Sequence, residues 1–419
     1  MREAGQRQPG LEAPQSIGSI WSPPSGSTQK PAAEPQAVSS MAMGLGTTSQ
    51  DPLSPQSQDG PALSSAEVFV YDEGDFVLHG AEWQGNGLCG LARGPLSRFD
   101  RALQLGWKDR LNRGLFRYHL GELQTRILPG TVGFVAQLNI QRGVERRRPQ
   151  EIQSVQQRFD PQQFNFCRIQ PEEILFCMTR SCTPSMEGAP FILVVINISP
   201  LQFGHSLLIP EPALSLPQIL TPEVLHFGLD ALLLSAHPGF RIGFNSLGAF
   251  ASVNHLHLHG YYLDWELLVE SAPCMPLLPE ANFYLLQGVP APGFLFYSDG
   301  QQLEKLTHQI GQVTNYLVKK EIAHNLFITR GATPRGPIRS GARPGIRIIV
   351  WARKACFGIK EESAFNVALC ELAGHLPIKT AKDFEGLTEA SAIHTIQKYL
   401  LSDFQFAKLQ CELVDLLKG

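Results

Sequence analysis

The chain has 419 residues, 43% hydrophobic and 17% charged, enough to bury a substantial core in about two or three domain-sized units. A formal net charge of -3 gives no general attraction to nucleic acid or to an anionic membrane surface, so a small anion is the expected charged partner rather than a polyanion. The opening MREAGQRQPGLEAPQSIGS lacks the apolar core of a signal peptide, no stretch is long and apolar enough to cross a bilayer, and eight cysteines show neither a CxxC pair nor framework spacing, so a cytoplasmic protein with reduced thiols is expected.

Residues 1 to 65 are dominated by Pro, Ser, Gln, Gly and Ala and carry few large apolar side chains to offset the entropy of ordering, which predicts a disordered arm. Ordered structure is expected from VFVYDEGDFVLHG onward, followed by a helix that places Phe99, Leu103, Trp107, Leu111 and Leu115 on one face at a spacing of four. GTVGFVAQLNIQRG and ILFCM read as strands, and ILVVINIS with HSLLIP as a hairpin around PLQFG. Thr221 as cap, Pro222 in the first turn and Glu223 at the positive end of the dipole start a helix that runs to Pro238 and Gly239. RIGFNSLGAFASVNHLHLHGYYL then reads as strand, glycine-containing loop, strand. After a Pro-rich connection containing PAPGFLF, a helix around Leu303, Leu306, Ile310, Val313 and Leu317, strands NLFITRG and IRIIVWAR, and terminal helices partly echo the first half without its histidines. The expected class is α+β, a duplicated half-unit with antiparallel sheet and flanking helices, divided into an arm at 1–65, a catalytic half at 66–290 and a second half at 291–419.

VNHLHLHGYY, residues 253–262, holds His255, His257 and His259 at alternate positions with leucines between them. Read as a strand, it directs three imidazoles to one face and Leu256 and Leu258 to the other, with neighbouring rings about 6.5 Å apart along the strand. The pattern admits a half-buried strand with a polar face, a metal site built on neutral imidazoles, or nucleophilic attack by one imidazole on a phosphoryl group while its neighbours orient it.

HLHLH closes the pattern of the histidine-triad superfamily, and a series of blocks in order resembles its galactose-1-phosphate uridylyltransferase branch, in particular the GDP-D-glucose phosphorylases. These blocks include GLFRYHLGELQTRILPGTVGFVAQLN, FDPQQFNF, NISPLQFGHSLLIPEP, PGFRIGFNSLGAFASVNHLHLHGYYL, IAHNLFITRG and AFNVALCELAGHLPIKT, within residues 99 to 380. The resemblance implies a histidine-triad-like fold and phosphorolysis of GDP-D-glucose by inorganic phosphate through a guanylylated histidine, with no cofactor. It places the nucleophile at His257 and leaves His255 and His259 to contact phosphate oxygens or fix its ring. His205 in FGHSLLIP matches a histidine recurrent upstream in such folds. Asn245, Ser252 and Asn254, on the segment entering the triad, offer uncharged donors for the α-phosphate. Asn197 stands where triad hydrolases often carry the ribose aspartate and Ala251 where they often carry glutamine, which makes simple hydrolysis less expected. The uridylyltransferase triad ends in glutamine and this one in histidine, which argues against hexose-1-phosphate exchange. The competing functions are a metal-dependent hydrolase using the same histidines and a silent guanine-nucleotide-binding module.

Other features carry less. RGVERRRP reads as a solvated basic loop. Phe164 and Phe166 in FNF suit either a guanine pocket or the core, and Arg347, Arg353 and Lys354 read as surface charge more readily than as phosphate ligands. No phosphate-cradling glycine loop is present, and only Asp264 and Glu266 follow the triad closely, so no metal is expected.

Overall fold

The computed structural model describes residues 66–78, 95–147, 149–181, 190–334, 344–358 and 363–419. The arm expected at 1–65 lies outside the described residues.

The strands are β1 (Val68–Tyr71), β2 (Thr125–Ile127), β3 (Val135–Leu138), β4 (Ile174–Arg180), β5 (Ile192–Ile196), β6 (Ser206–Pro210), β7 (Phe240–Asn245), β8 (Leu258–Tyr262), β9 (Cys274–Leu278), β10 (Phe283–Leu286), β11 (Phe294–Ser298), β12 (Ala323–Gly331), β13 (Gly345–Arg353) and β14 (His375–Ile378). The helices are α1 (Arg98–Asn112), α2 (Ile140–Glu145), α3 (Pro222–Leu234), α4 (Leu303–Lys319), α5 (Leu369–Ala373), α6 (Ala381–Gly386), α7 (Glu389–Gln397) and α8 (Asp403–Lys418). Eleven strands form one sheet in the order β1-β4-β5-β6-β8-β7-β12-β13-β11-β10-β9, and β14-β3-β2 form a second. Apart from the parallel β1–β4 pair, the large sheet is antiparallel. Strands from residues 68–262 occupy one contiguous block of it and strands from residues 274–353 the other.

The two faces of the large sheet bury different layers. Leu258, Ile242, Phe244, Leu326 and Ile328 pack into one core with Phe99, Leu103 and Trp107 of α1, Leu225 and Leu229 of α3, and residues of α4 and α8. Tyr261, Phe327, Ile349 and Trp351 face a second core built with β3, β14 and α5 to α7. Burial of each large apolar side chain contributes about 1.5–3 kcal/mol, and tens of them lie in these layers, so the long-range sheet order is set by which face each strand buries. Helix α3 begins as expected, with the Thr221 side chain accepting from Val224 N–H, Pro222 in the first turn and Glu223 beside it. Its close approach to the sheet depends on Gly228, where an added methyl would lie 2.7 Å from Leu258 Cδ1.

Three local expectations change. The α1 periodicity stops at Asn112 because Gly114 takes φ +72°, which leaves Leu115 outside the helix. NIQRG continues as α2 rather than strand, since Asn139 caps it by accepting Arg142 N–H at 3.0 Å. CMPLL, FYLL and FLFYS form β9 to β11 where a connection is expected, and Pro276, which lacks a ladder donor, is tolerated because β9 is the outer strand.

The histidine strand is also shorter than expected. It begins at Leu258, so His255 and His257 precede it and only His259 belongs to the ladder. β6 pairs Leu208 with Leu258 and runs out at Pro210, which has no N–H to continue the pairing. The backbone ahead of β8 is held from elsewhere, Leu256 N–H by Leu216 O at 2.8 Å and His257 N–H by Gln218 Oε1 at 3.0 Å.

Candidate active site

The hairpin β5–β6, the segment entering β8, helix α2 and the start of α5 converge on one cleft. Among the sequence candidates, His205, His257, His259, Asn197, Asn245 and Ser252 line it. His255 and Asn254 do not; they lie behind it.

Asn254 is consumed by structure. Its Nδ2 donates to Gln157 O at 3.0 Å and Arg158 O at 2.8 Å, and its Oδ1 accepts Gln218 N–H at 2.9 Å, so nothing is left to meet a phosphate. His255 accepts Phe166 N–H through Nδ1 at 3.0 Å, with its ring packed at 5.1 Å from Phe159 and 5.4 Å from Phe166. Its contribution to the cleft is its carbonyl, 2.7 Å from His257 Nδ1.

That contact fixes a tautomer. A carbonyl only accepts, so His257 Nδ1 carries the proton and Nε2 carries the lone pair. The neighbouring pair has the opposite polarity. Leu201 N–H donates to His205 Nδ1 at 2.9 Å, which puts the proton of neutral His205 on Nε2. That nitrogen lies 3.1 Å from His259 Nδ1 and donates to it, leaving His259 with its proton on Nε2. The rings of His257 and His259 are 5.0 Å apart at 70°. The cleft therefore holds one imidazole ready to attack beside one ready to donate.

Burial keeps these rings neutral. Desolvation lowers His257 to about 4, against the small opposing effect of the His255 carbonyl. His255 is likewise lowered to about 4, by burial and then by His257. His205 and His259 are pushed well below the usual histidine range, again mainly by burial, with His259 and Arg142 adding to the shift at His205 and His257 and Arg142 at His259. The consequence for stability follows in sign: as pH falls from 6.5 to about 4, the unfolded chain takes up protons at His255 and His257 that the folded chain refuses. Stability is full above pH 6.5 and is lost through this window, with buried His324, lowered to about 4, adding to the loss. Urea midpoints measured from pH 7.5 to 4.5 should fall steadily below pH 6.5; a midpoint unchanged at pH 5 contradicts the neutral cluster.

The remaining wall is cationic. Arg142, Arg146, Arg147 and Lys379 line the cleft against two carboxylates, Glu173 and Glu371, in a chain whose overall charge is -3. The RGVERRRP segment is thus part of the site rather than a solvated loop, because α2 carries it there: Asn139 donates to Pro200 O at 3.3 Å, and Arg142 donates to Ser199 O, docking the helix on the β5–β6 turn. Arg148 lies outside the described residues. Gly204 closes that turn at φ +68° and brings His205 into β6's lead. Phe164 and Phe166 line the cleft, and the Arg147 guanidinium lies over the Phe164 ring.

Arg347 and Arg353 are neither surface charges nor phosphate ligands. Both are 1% exposed; Arg347 donates to the carbonyls of Ala332, Val269 and Ala272, and Arg353 to Asn325 Oδ1 and Val367 O. Lys354 is exposed. Asp264 pairs with His237 at 3.3 Å. Among the described residues no three His, Cys, Asp or Glu side chains converge as a metal site.

Two residues carry no flag in the sequence beyond their context. Gln218, the one polar side chain inside LPQIL, is 1% exposed; Nε2 donates to Asn245 O at 3.0 Å and His257 O at 3.1 Å, while Oε1 accepts His257 N–H. Phe250 lines the cleft at φ +71°, a strained conformation for an aromatic residue, and is held by Tyr399 at 5.5 Å and by Arg353.

With this geometry in place, comparison with known proteins is specific. The GDPGP1-like N-terminal domain matches residues 98–261 and the GDPGP1-like C-terminal domain matches residues 269–419. The chain belongs to the GDPGP1-like family. Similar proteins include GDP-D-glucose phosphorylase 1 of Macaca fascicularis, 57% identical over 83% of this chain and 91% of the relative, and that of Homo sapiens, 56% identical over the same shares. GDP-L-galactose phosphorylase 2 of Arabidopsis thaliana is 31% identical over 76% of each chain. The solved structure of yeast Ap4A phosphorylase Apa2 overlays with a TM-score of 0.50 at 14% identity, over 73% of this chain and 98% of that one, which shows a shared α+β fold. Both GDPGP1-like domains contribute to the cleft, the N-terminal one with the histidines and α2, the C-terminal one with α5 and Lys379.

Proposed function

We propose that this chain is a GDP-D-glucose phosphorylase, converting GDP-D-glucose and inorganic phosphate to GDP and glucose 1-phosphate through a guanylylated His257. The observation that supports it most is the His257 Nδ1–H bond to the His255 carbonyl at 2.7 Å, which leaves Nε2 as a neutral nucleophile in a cationic cleft. In the first step the Nε2 lone pair forms a bond to the α-phosphorus, and the bond from that phosphorus to the oxygen bridging to the β-phosphorus breaks. Glucose 1-phosphate departs. In the second step a phosphate oxygen attacks the same phosphorus, the P–N bond breaks, and GDP leaves with His257 regenerated.

His259 Nε2–H, Ser252 and the Asn197 amide are the uncharged donors available to the α-phosphate oxygens, with His205 holding the His259 tautomer and Asn245 bracing the entry loop. Asn197 Oδ1 accepts Ser199 N–H at 3.1 Å, and its Nδ2 lies 3.3 Å from His205 Nε2, so the amine stands beside the histidine pair. Arg142 and Lys379 supply positive charge for the diphosphate and the incoming phosphate. The two blocks of strands support a chain of two half-units, and the unpaired state of the six described cysteines supports a cytoplasmic location. No described helix is long and apolar enough to cross a membrane.

The deciding assay incubates the protein with GDP-D-glucose with and without phosphate and identifies the products. Turnover should depend saturably on phosphate, yield glucose 1-phosphate, and survive exhaustive chelation. Release of GMP or glucose without phosphate, or activity lost on chelation and restored by zinc, points instead to a water nucleophile generated by a metal ion.

A further inference from the structure

One end of the cleft is built differently from the rest. Phe164 and Phe166 stand at 88° with centroids 5.9 Å apart, and Ile169, Val195, Leu207 and Val253 complete an apolar slot. Phe166, Ile169, Val195, Leu207 and Val253 belong to one buried cluster, so the slot is backed by packed core rather than by mobile side chains. The carboxylate from this segment of chain, Glu173, also lines the cleft. Burial raises its pKa, against the hydrogen bond from Gln170 N–H and the pull of Arg147 and Arg117. Glu371, the other carboxylate of the cleft, is carried by α5 with the C-terminal part of the wall.

A pocket of aromatic and aliphatic side chains takes the apolar faces and edges of a nucleobase, and a carboxylate, which only accepts, selects a base that offers donors. Guanine presents N1–H and the N2 amine side by side on its pairing edge. Adenine presents an acceptor at N1 and no amine at C2. Building on the phosphorolysis reading above, we propose that Glu173 accepts from N1–H and the N2 amine of guanine and so sets the nucleotide specificity of the enzyme. The charge-assisted pair adds to the affinity for a base that offers both donors, and a base lacking the N2 amine loses one of its two hydrogen bonds to the half-buried carboxylate.

A purely structural role for Glu173 is available and separable. It ends the short turn Pro171–Glu173, with Oε1 accepting Gln170 N–H at 3.0 Å. Glu173→Gln keeps that acceptor but replaces the second oxygen by an amine, which opposes the guanine donors. The test measures kcat/KM of wild type and E173Q on GDP-glucose and IDP-glucose, which differ only in the N2 amine, together with binding of GDP and IDP by calorimetry. Wild type should favour the guanine ligand about tenfold, and E173Q should lose about ten- to a hundredfold on it and less on the inosine ligand, bringing the ratio near one. A merely structural Glu173 leaves the ratio at its wild-type value, which overturns the proposal, as does a collapse of the ratio in E371Q but not in E173Q. Absence of turnover in wild type contradicts the reaction assigned above, whereas the GDP-to-IDP binding ratio still decides the role of Glu173.

Discussion

Replacing His257 by Asn should abolish phosphorolysis, with kcat/KM down on the order of 10⁴-fold or more, because the two-step route has no other nucleophile. Asn retains an amide donor for the His255 carbonyl that holds the native ring at 2.7 Å, so the segment entering β8 keeps its anchor and the fold survives. The direct readout is covalent: wild type incubated briefly with GDP-glucose labelled at the α-phosphate and quenched without acid should retain label on the protein, and H257N should retain none. His259→Asn should lose less, since it removes one donor to the phosphate and not the attacking atom. Turnover by H257N within a hundredfold of wild type, or label still bound to it, would sink the mechanism.

The second large effect is expected from Gln218→Ala, a residue that touches no ligand. Its side chain gives or takes three hydrogen bonds, at 3.0, 3.1 and 3.0 Å, with the backbone of Asn245 and both backbone groups of His257. Removing it strands buried polar groups at a cost of about 1–3 kcal/mol each, so unfolding free energy should drop by about 3 kcal/mol or more. The same loss frees the nucleophile's backbone, and displacement of a reacting group by an ångström costs on the order of 10²-fold, so kcat should fall to that extent. KM for phosphate should change little, because Arg142 and Lys379 are held by other contacts, Ser199 O for the first and Ser363 O and Asn366 Oδ1 for the second. Denaturant titration and initial-rate kinetics on one preparation separate the two effects; a wild-type kcat at reduced stability would make Gln218 a packing residue only.

What could be read along the chain was whatever local chemistry writes locally. Thr221, Pro222 and Glu223 announce a helix start because capping is settled within one turn. His257 is legible because an alternating run of three imidazoles is rare and because the blocks around it resemble one family. The order strand, strand, helix, strand, strand for β5, β6, α3, β7 and β8 follows from periodicity and turn residues.

The rest was decided by contacts between distant segments. The triad reads as one continuous strand until Pro210 ends the pairing of β6 and Gln218 takes the backbone of His257 in its place. The arginine run reads as solvated because its charge density says nothing of the Asn139 cap and the Ser199 carbonyl that dock α2 on the cleft. Asn254 has the composition of a ligand and is used up by Gln157, Arg158 and Gln218. By itself the sequence determined which side chains are available for phosphoryl transfer. The tertiary structure alone decided which nitrogen of each imidazole holds the proton, because a tautomer is set by the partner across the hydrogen bond, and those partners are the Leu201 N–H folded back by the β5–β6 turn for His205, the His205 ring across the sheet for His259 and the turned backbone of His255 for His257.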